Sequence, residues 1–93
     1  MSSPQFDPTN PTACFSVLAH AEPGVLPRIL ELFAKRGLVP AYLQAMHKGD
    51  ELAVEIRVNG MGQALAVYIA ECLRAVFTVD QALVSEWRRA DVA

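Results

Sequence analysis

The residues best suited to chemistry lie in one short segment, His20-Ala21-Glu22-Pro23-Gly24, directly before a run with apolar residues at helical spacing. A helix begins with N–H groups that have no partner inside the helix, and a glycine there lets a carboxylate approach them closely. A Pro-Gly pair is equally an efficient turn and helix start. The segment is therefore either a ligand contact or a turn, and His20 either meets a carboxylate or is an ordinary surface residue.

The other reactive residues do not form a catalytic or metal-binding pattern. Cys14 and Cys72 are far apart in the sequence, without a second thiol or a histidine at metal-ligand spacing, which predicts small buried side chains. No Ser-His-Asp or Cys-His arrangement follows from the spacing, and no carboxylates are paired for acid–base work. We therefore expect no catalysis, no cofactor and no metal.

The composition is typical of one small globular domain. Its 93 residues are 53% hydrophobic, enough for a single core that buries roughly 60 to 65% of the unfolded surface. Eight Lys and Arg against ten Asp and Glu leave no basic patch of the kind that nucleic-acid binding requires. No apolar stretch reaches the roughly 18 residues of a membrane span, and no signal-peptide layout is visible. We expect a cytoplasmic protein with no membrane partner.

The hydrophobic pattern predicts a flexible arm over residues 1–12, one domain over 13–87 and a polar tail over 88–93. Period-two alternation over 13–20 predicts a central strand. Apolar residues at three- and four-residue steps predict a helix over about 23–36, with Glu22 as N-cap and Gly37 as a left-handed C-cap. A second helical stripe, up to about residue 75, comprises Met61, Leu65, Tyr68, Ile69, Cys72 and Leu73. A last strand is expected over about 81–87.

A hairpin is predicted between the two helices, around a two-residue turn at Gly49-Asp50 in which glycine has a positive φ. This turn sets the register, and the face predicted to be buried comprises Ala41, Leu43, Ala45 and His47 with Leu52, Val54, Ile56 and Val58. The opposite face carries Tyr42, Gln44 and Met46, and is either a partner interface or a solvated sheet face. The second strand should be a sheet edge with few charges to block pairing, which predicts a homodimer.

Right-handed crossovers convert this order into a ferredoxin-like α+β sandwich, βαββαβ, with a four-stranded antiparallel sheet and two helices on one face. In its order of elements, in the segment EPGVLPRILELFAKRG and in the hairpin, the chain resembles the ACT domain over about residues 13–87. ACT domains are regulatory modules of many amino-acid-metabolising enzymes. In length, the chain is distantly similar to the small regulatory subunits of acetolactate synthase.

The resemblance implies an amino-acid site at the turn between the first strand and the first helix, located between two domains and capped by the start of the second strand. Gly24, Val25 and Leu26 match the family motif, and the other implied ligand-binding residues are His20, Ala21, Glu22, Val39 and Pro40. Ligand-binding members commonly have Asn or Asp at the position of Ala21, where it holds the effector's amino group. The position of Val39 is often Asn. Glu22 would repel an incoming carboxylate.

Two functions from different classes remain. The first is a regulatory module that senses an amino acid or a related small metabolite and acts on a partner enzyme; the second is a ligand-free dimeric protein-interaction module. Pro23-Gly24 favours the first, whereas Ala21 and Val39 favour the second. An acylphosphatase would need an arginine in the loop HAEPGVL, and an RNA-recognition module would need aromatic residues in the strand ELAVEIRV; this chain has neither.

Overall fold

The computed structural model describes residues 11–87. Its elements follow the predicted order: β1 Thr12–His20, α1 Val25–Ala34, β2 Tyr42–Lys48, β3 Glu51–Val58, α2 Gln63–Arg74 and β4 Val79–Trp87. Strand β4 begins slightly earlier than predicted. Apart from Pro11 and Thr12, the predicted arm and tail lie outside the described residues.

The four strands form one antiparallel sheet in the order β2-β3-β1-β4, which confirms the ferredoxin-like fold and places β2 at an edge. The hairpin has the predicted register, with Ala45 opposite Val54 and Lys48 opposite Glu51. Gly49 has a φ of +59°, and no described non-glycine residue has a positive φ. A type I′ turn would need a positive φ at both central residues, so the turn is of type II′, with the positive φ at Gly49 as predicted.

Both helices pack on the same face of the sheet and enclose the core. The side chains that α1 buries are Val25, Ile29 and Phe33. The ring of Phe33 meets that of Phe15 in β1 edge-on, with centroids 5.2 Å apart. Strand β3 adds Val54, Ile56 and Val58 to this core.

The start of α1 differs from the prediction. The helix begins at Val25 with Gly24 as its N-cap and without a side-chain capping bond, so the prediction of Glu22 as N-cap is wrong. Pro23 and Gly24 form a preceding turn, in which the Val25 N–H donates to the Glu22 carbonyl at 3.1 Å. Because this turn satisfies the Val25 N–H through the backbone, the Glu22 side chain is left exposed to solvent.

The end of α1 closes on Gly37 as predicted. This residue has a φ of +70°, a left-handed conformation that glycine adopts without a steric penalty. The Leu38 N–H donates to the Phe33 carbonyl and the Gly37 N–H to the Ala34 carbonyl, both at 3.0 Å. These two bonds form a Schellman motif, which satisfies carbonyls that the end of a helix would leave unpaired.

The buried stripe of α2 is rotated relative to the prediction. Leu65 and Tyr68 are exposed, and Met61 is buried but precedes the helix. The helix instead buries Ala66, Ile69, Ala70 and Leu73. The two alanines lie one turn apart on the same helix face, and their small side chains let α2 pack closely against the core. A pattern of large apolar residues could not identify that face.

Strand β2 is exposed on both faces, so the prediction that Ala41, Leu43, Ala45 and His47 are buried is wrong. Leu43 keeps 42% of its surface exposed. On the same side of the sheet, the neighbouring residues of β3 are buried, which means that the helices cover the sheet only as far as β3. The imidazole Nε2 of His47 lies 2.8 Å from the Gly49 carbonyl, within its own turn.

Candidate functional site

The segment that the sequence singled out, residues 20–26, is hereafter called the α1 turn. Two backbone hydrogen bonds hold its beginning between the hairpin and the start of β4. The His20 N–H donates to the Thr78 carbonyl, and the Ala21 N–H donates to the Asp50 carbonyl, both at 2.9 Å. The α1 turn therefore shares one end of the sheet with the tip of the β2–β3 hairpin.

The charged side chains of the α1 turn lie in solvent. The His20 Nε2 atom is 3.3 Å from the Asp80 Oδ1 atom, and both side chains are about half exposed. An exposed pair of this kind contributes little to stability. His20 thus has a carboxylate partner within β4, while the exposed Glu22 places a negative charge near the start of α1.

The backbone at Gly24 leaves room for a ligand. Gly24 has a φ of −88° and a ψ of −3°, which any residue can adopt. A Cβ atom added to it would meet no heavy atom of the described chain within 4 Å. Val25 is buried and Leu26 packs against the core, so both anchor the helix start. The folded chain by itself does not require glycine at this position.

Val39 and Pro40 lie at the opposite end of the sheet from the α1 turn. Both β1 and β2 are antiparallel to β3, so they run in the same direction. Tyr42 at the start of β2 and Cys14 near the start of β1 both pair with Arg57, so they lie at the same level of the sheet. The α1 turn instead begins at His20, the last residue of β1. Six strand residues separate these levels by about 20 Å. A single chain therefore does not bring together the two groups of predicted ligand-binding residues.

The two edges of the sheet differ in how readily they could pair with another strand. On β4, the Arg74 Nε atom donates to the Ala82 carbonyl at 2.9 Å, and the β1–β4 register shifts at Leu18/Ala19. A covering side chain and an irregular ladder both discourage pairing. Strand β2 is a regular seven-residue strand whose sequence, YLQAMHK, has its lysine at the end. Of the two edges, β2 is the one suited to pairing.

The sheet face opposite the helices, hereafter the open face, is a second candidate surface. It contains a shallow groove of about 330 Å³, whose lining includes Ser16, Leu18, Gln44, Met46, Glu55 and Leu83. Two of the predicted interface residues, Gln44 and Met46, line this groove. The third, Tyr42, lies on the same face, and its hydroxyl donates a hydrogen bond to the Gln44 Oε1 atom at 3.0 Å.

A compact polar cluster lies on the open face and includes Glu55 of the groove lining. The Arg57 guanidinium contacts the Glu55 carboxylate at 2.6 and 2.7 Å and stacks on the Tyr42 ring, 4.0 Å from its centroid. The Cys14 thiol donates to the same carboxylate at 3.5 Å. Burial, followed by this contact, raises the pKa of the Cys14 thiol. Cys14 therefore stays protonated and is a poor nucleophile.

Only part of this cluster could be predicted from the sequence. The predicted register placed Tyr42 opposite Arg57, but the convergence of the Arg57 guanidinium and the Cys14 thiol on the Glu55 carboxylate depends on the β1–β3 pairing. Cys14 is buried as predicted, Cys72 is partly buried, and both are free thiols. Within residues 11–87, no group of His, Cys, Asp and Glu side chains could hold a metal ion. Neither described helix has the length and apolar character needed to cross a bilayer.

Comparison with known proteins supports the same fold. A family model described as ACT-like domain matches residues 7–92. The crystal structure of the ACT domain of GTP pyrophosphokinase from Chlorobium tepidum matches with a TM-score of 0.73 and 13% identity, over 83% of this chain and 100% of that chain. The solution structure of the C-terminal domain of the MgtC protein from Mycobacterium tuberculosis matches with a TM-score of 0.70 and 12% identity, over 90% and 95%. No curated protein matches the sequence.

Proposed function

Since the chain belongs to the family of ACT-like domains, which are regulatory modules that commonly bind amino acids, we propose that it senses an amino acid or a related small metabolite at the α1 turn and acts on a partner enzyme. The observation that carries this proposal is the separation of the α1 turn from Val39 and Pro40 within one chain. A site built from both groups is completed by a second chain. Sensing and dimerisation are therefore two parts of one proposal.

The proposed dimer pairs the β2 strands of two copies in antiparallel fashion. In such a pair the start of one strand lies beside the end of the other, so the partner's Val39 and Pro40 reach the end of β2. That end leads into Asp50, whose carbonyl binds Ala21 of the α1 turn. The two-fold axis thus carries the second group of residues toward the first, in both copies at once.

The helix side of β2 supports this arrangement. Leu43, Ala45 and His47 lie on that side beyond the reach of α1 and α2, and Val39 keeps 66% of its surface exposed. A second β2 strand with its own α1 helix would cover these side chains. Burial of apolar surface contributes about 25 cal/mol per Å². The face of β2 that the sequence predicted to be buried is thus the face that a partner would bury.

The chemistry of the α1 turn favours a small carboxylate. At the beginning of α1, the Val25 N–H is already bonded and Pro27 has none. The helix start therefore offers the N–H groups of Gly24 and Leu26 and the positive end of the helix dipole, with open space at Gly24. Val39 and Pro40 would meet an apolar side chain. Ala21 offers no side-chain acceptor for an amino group, so 2-oxo acids are candidates beside amino acids. The exposed Glu22 would lower the affinity for any anion and could instead accept the ammonium group of an amino acid.

A ligand-free dimeric interaction module is the second candidate. It is favoured by Ala21, which lacks the side chain that would hold an amino group, and by the groove on the open face, which lies outside the α1 turn. In this case the β2 dimer would form without any effector. The partner would then contact the sheet rather than respond to a metabolite.

A melting-temperature screen separates the two candidates. The dialysed protein is heated with each of the twenty amino acids and the common 2-oxo acids at millimolar concentration. A ligand at about a hundred times its Kd adds roughly 2.7 kcal/mol, which raises the Tm of a domain of this size by about 10 °C or more. A selective shift supports the sensor. No shift across the panel, with a dimer confirmed by light scattering, contradicts it and supports the interaction module.

A further inference from the structure

The open face has a groove at its centre, flanked by two protruding apolar side chains. Ser16 and Ala53 are small residues in the middle rows of the sheet, and they form the floor of the groove. Met46 on β2 and Leu83 on β4 rise on either side of it, with 42% and 53% of their surfaces exposed. The face therefore presents both a depression and side chains of a size that could fill one.

Most charges around this centre are compensated within the chain. Arg57 is paired with Glu55, while Asp80 stands at the edge of the face beside the His20 imidazole. Lys48 stands directly opposite Glu51 across the hairpin. A protein interface usually has an apolar core and a polar rim, and the charged side chain that lines the groove, Glu55, is neutralised by Arg57. Because neither sign of charge dominates, the face can meet an identical copy of itself without like-charge repulsion.

The area of the open face indicates which assembly could form a stable interface through it. Four strands about 4.8 Å apart, each of about eight residues at about 3.3 Å, span about 500 Å². A specific interface buries at least about 500 Å² on each partner and typically about 800 Å². The open face of a single chain therefore only just reaches the lower figure. The continuous eight-stranded sheet of a β2-paired dimer doubles it to about 1,000 Å², which is sufficient.

We propose that two β2-paired dimers pack open face to open face and form a tetramer. The inference rests on the proposed dimer. Packed sheets lie about 10 Å apart with interdigitating side chains, so Met46 and Leu83 of one dimer would enter the grooves of the other. The helices then lie on the two outer surfaces. Gly24 at the start of each α1 stays on the helix side, so a tetramer would still admit an effector.

The test is the molar mass in solution, measured by light scattering and sedimentation at micromolar concentration. The unchanged protein should contain four chains. Leu83→Lys places a charge at the centre of the open face and should yield two chains, with an unchanged circular dichroism spectrum. Met46→Lys, on a different strand, should do the same. Ala64→Lys introduces the same charge at an exposed position of α2, a helix that packs against β4 and β1 and away from β2, and should leave four chains.

Each alternative outcome has a distinct meaning. A mass of two chains for the unchanged protein overturns the tetramer and keeps the β2 dimer, leaving the open face for a different protein. A mass of one chain overturns both. If both lysine variants on the open face remain tetramers, then the tetramer does not use this face, and the inference is wrong.

Discussion

Ala21 donates its backbone N–H to the carbonyl of Asp50 at 2.9 Å, and this bond joins the α1 turn to the tip of the β2–β3 hairpin. The two residues belong to the two regions on which the proposed function depends: the effector site and the strand at the dimer edge. An effector that shifts the α1 turn would therefore act on the hairpin through a direct contact. Binding of a metabolite and pairing of β2 would be coupled reciprocally.

The edge of β2 can be tested with Ala45→Pro. In a two-residue hairpin the closing pair, Lys48 and Glu51, exchanges hydrogen bonds, so the Ala45 N–H points away from β3. Proline there removes a donor from the free edge but none from the hairpin. We expect the variant to fold and to have the mass of one chain. Ala45→Val, which keeps the N–H, should assemble like the unchanged protein; assembly of the proline variant would exclude this edge.

The site can be tested with Gly24→Val. The φ of −88° and the open space at this position accommodate a side chain, so we expect the free energy of unfolding to change by less than about 1 kcal/mol. The branched side chain would occupy the space that the ligand needs. The Tm shift given by an effector of the unchanged protein should therefore disappear. An undiminished shift would remove Gly24 from the site.

Gly37→Val provides the matched comparison, because the same substitution falls on a left-handed residue. A β-branched side chain at a φ of +70° is strained, and we expect a loss of about 1 to 2 kcal/mol in urea unfolding. Gly37→Asn should lose less, since asparagine tolerates this conformation better. Equal losses for valine at Gly37 and at Gly24 would contradict the Schellman closure of α1.

The raised pKa of Cys14 predicts a pH dependence of both reactivity and stability. Cys14 should react with iodoacetamide more slowly than the partly buried Cys72, as mass spectrometry of labelled peptides would show. Above the ordinary thiol pKa of 9.0, the unfolded chain ionises while the folded chain does not, so stability should fall as the pH rises through that region. Glu55→Gln removes a carboxylate that raises this pKa and should accelerate labelling of Cys14. Labelling of Cys14 before Cys72 would argue against the burial of its thiol.

The sequence by itself determined the order of the elements, the hairpin register and the Gly37 closure. These features depend on interactions between near neighbours: a two-residue turn fixes which residues oppose each other, and a glycine after a helix permits the left-handed conformation. The exact start of α1 was missed because the turn at Pro23 and Gly24 satisfies the Val25 N–H through the backbone, so no side-chain cap marks it.

Only the tertiary structure decided which surfaces are covered. The alternation of apolar and polar residues in β2 predicted that one of its faces is buried. Burial also requires a helix above that face, and α1 and α2 cover the sheet only as far as β3. The face that α2 turns toward the core depends on the close helix–sheet packing that the small side chains of Ala66 and Ala70 allow. Likewise, Val39 and Gly24 lie at opposite ends of the sheet because β1 and β2 run parallel. Local pattern specifies which side chains share a face, whereas the packing of distant elements specifies whether that face meets protein or solvent.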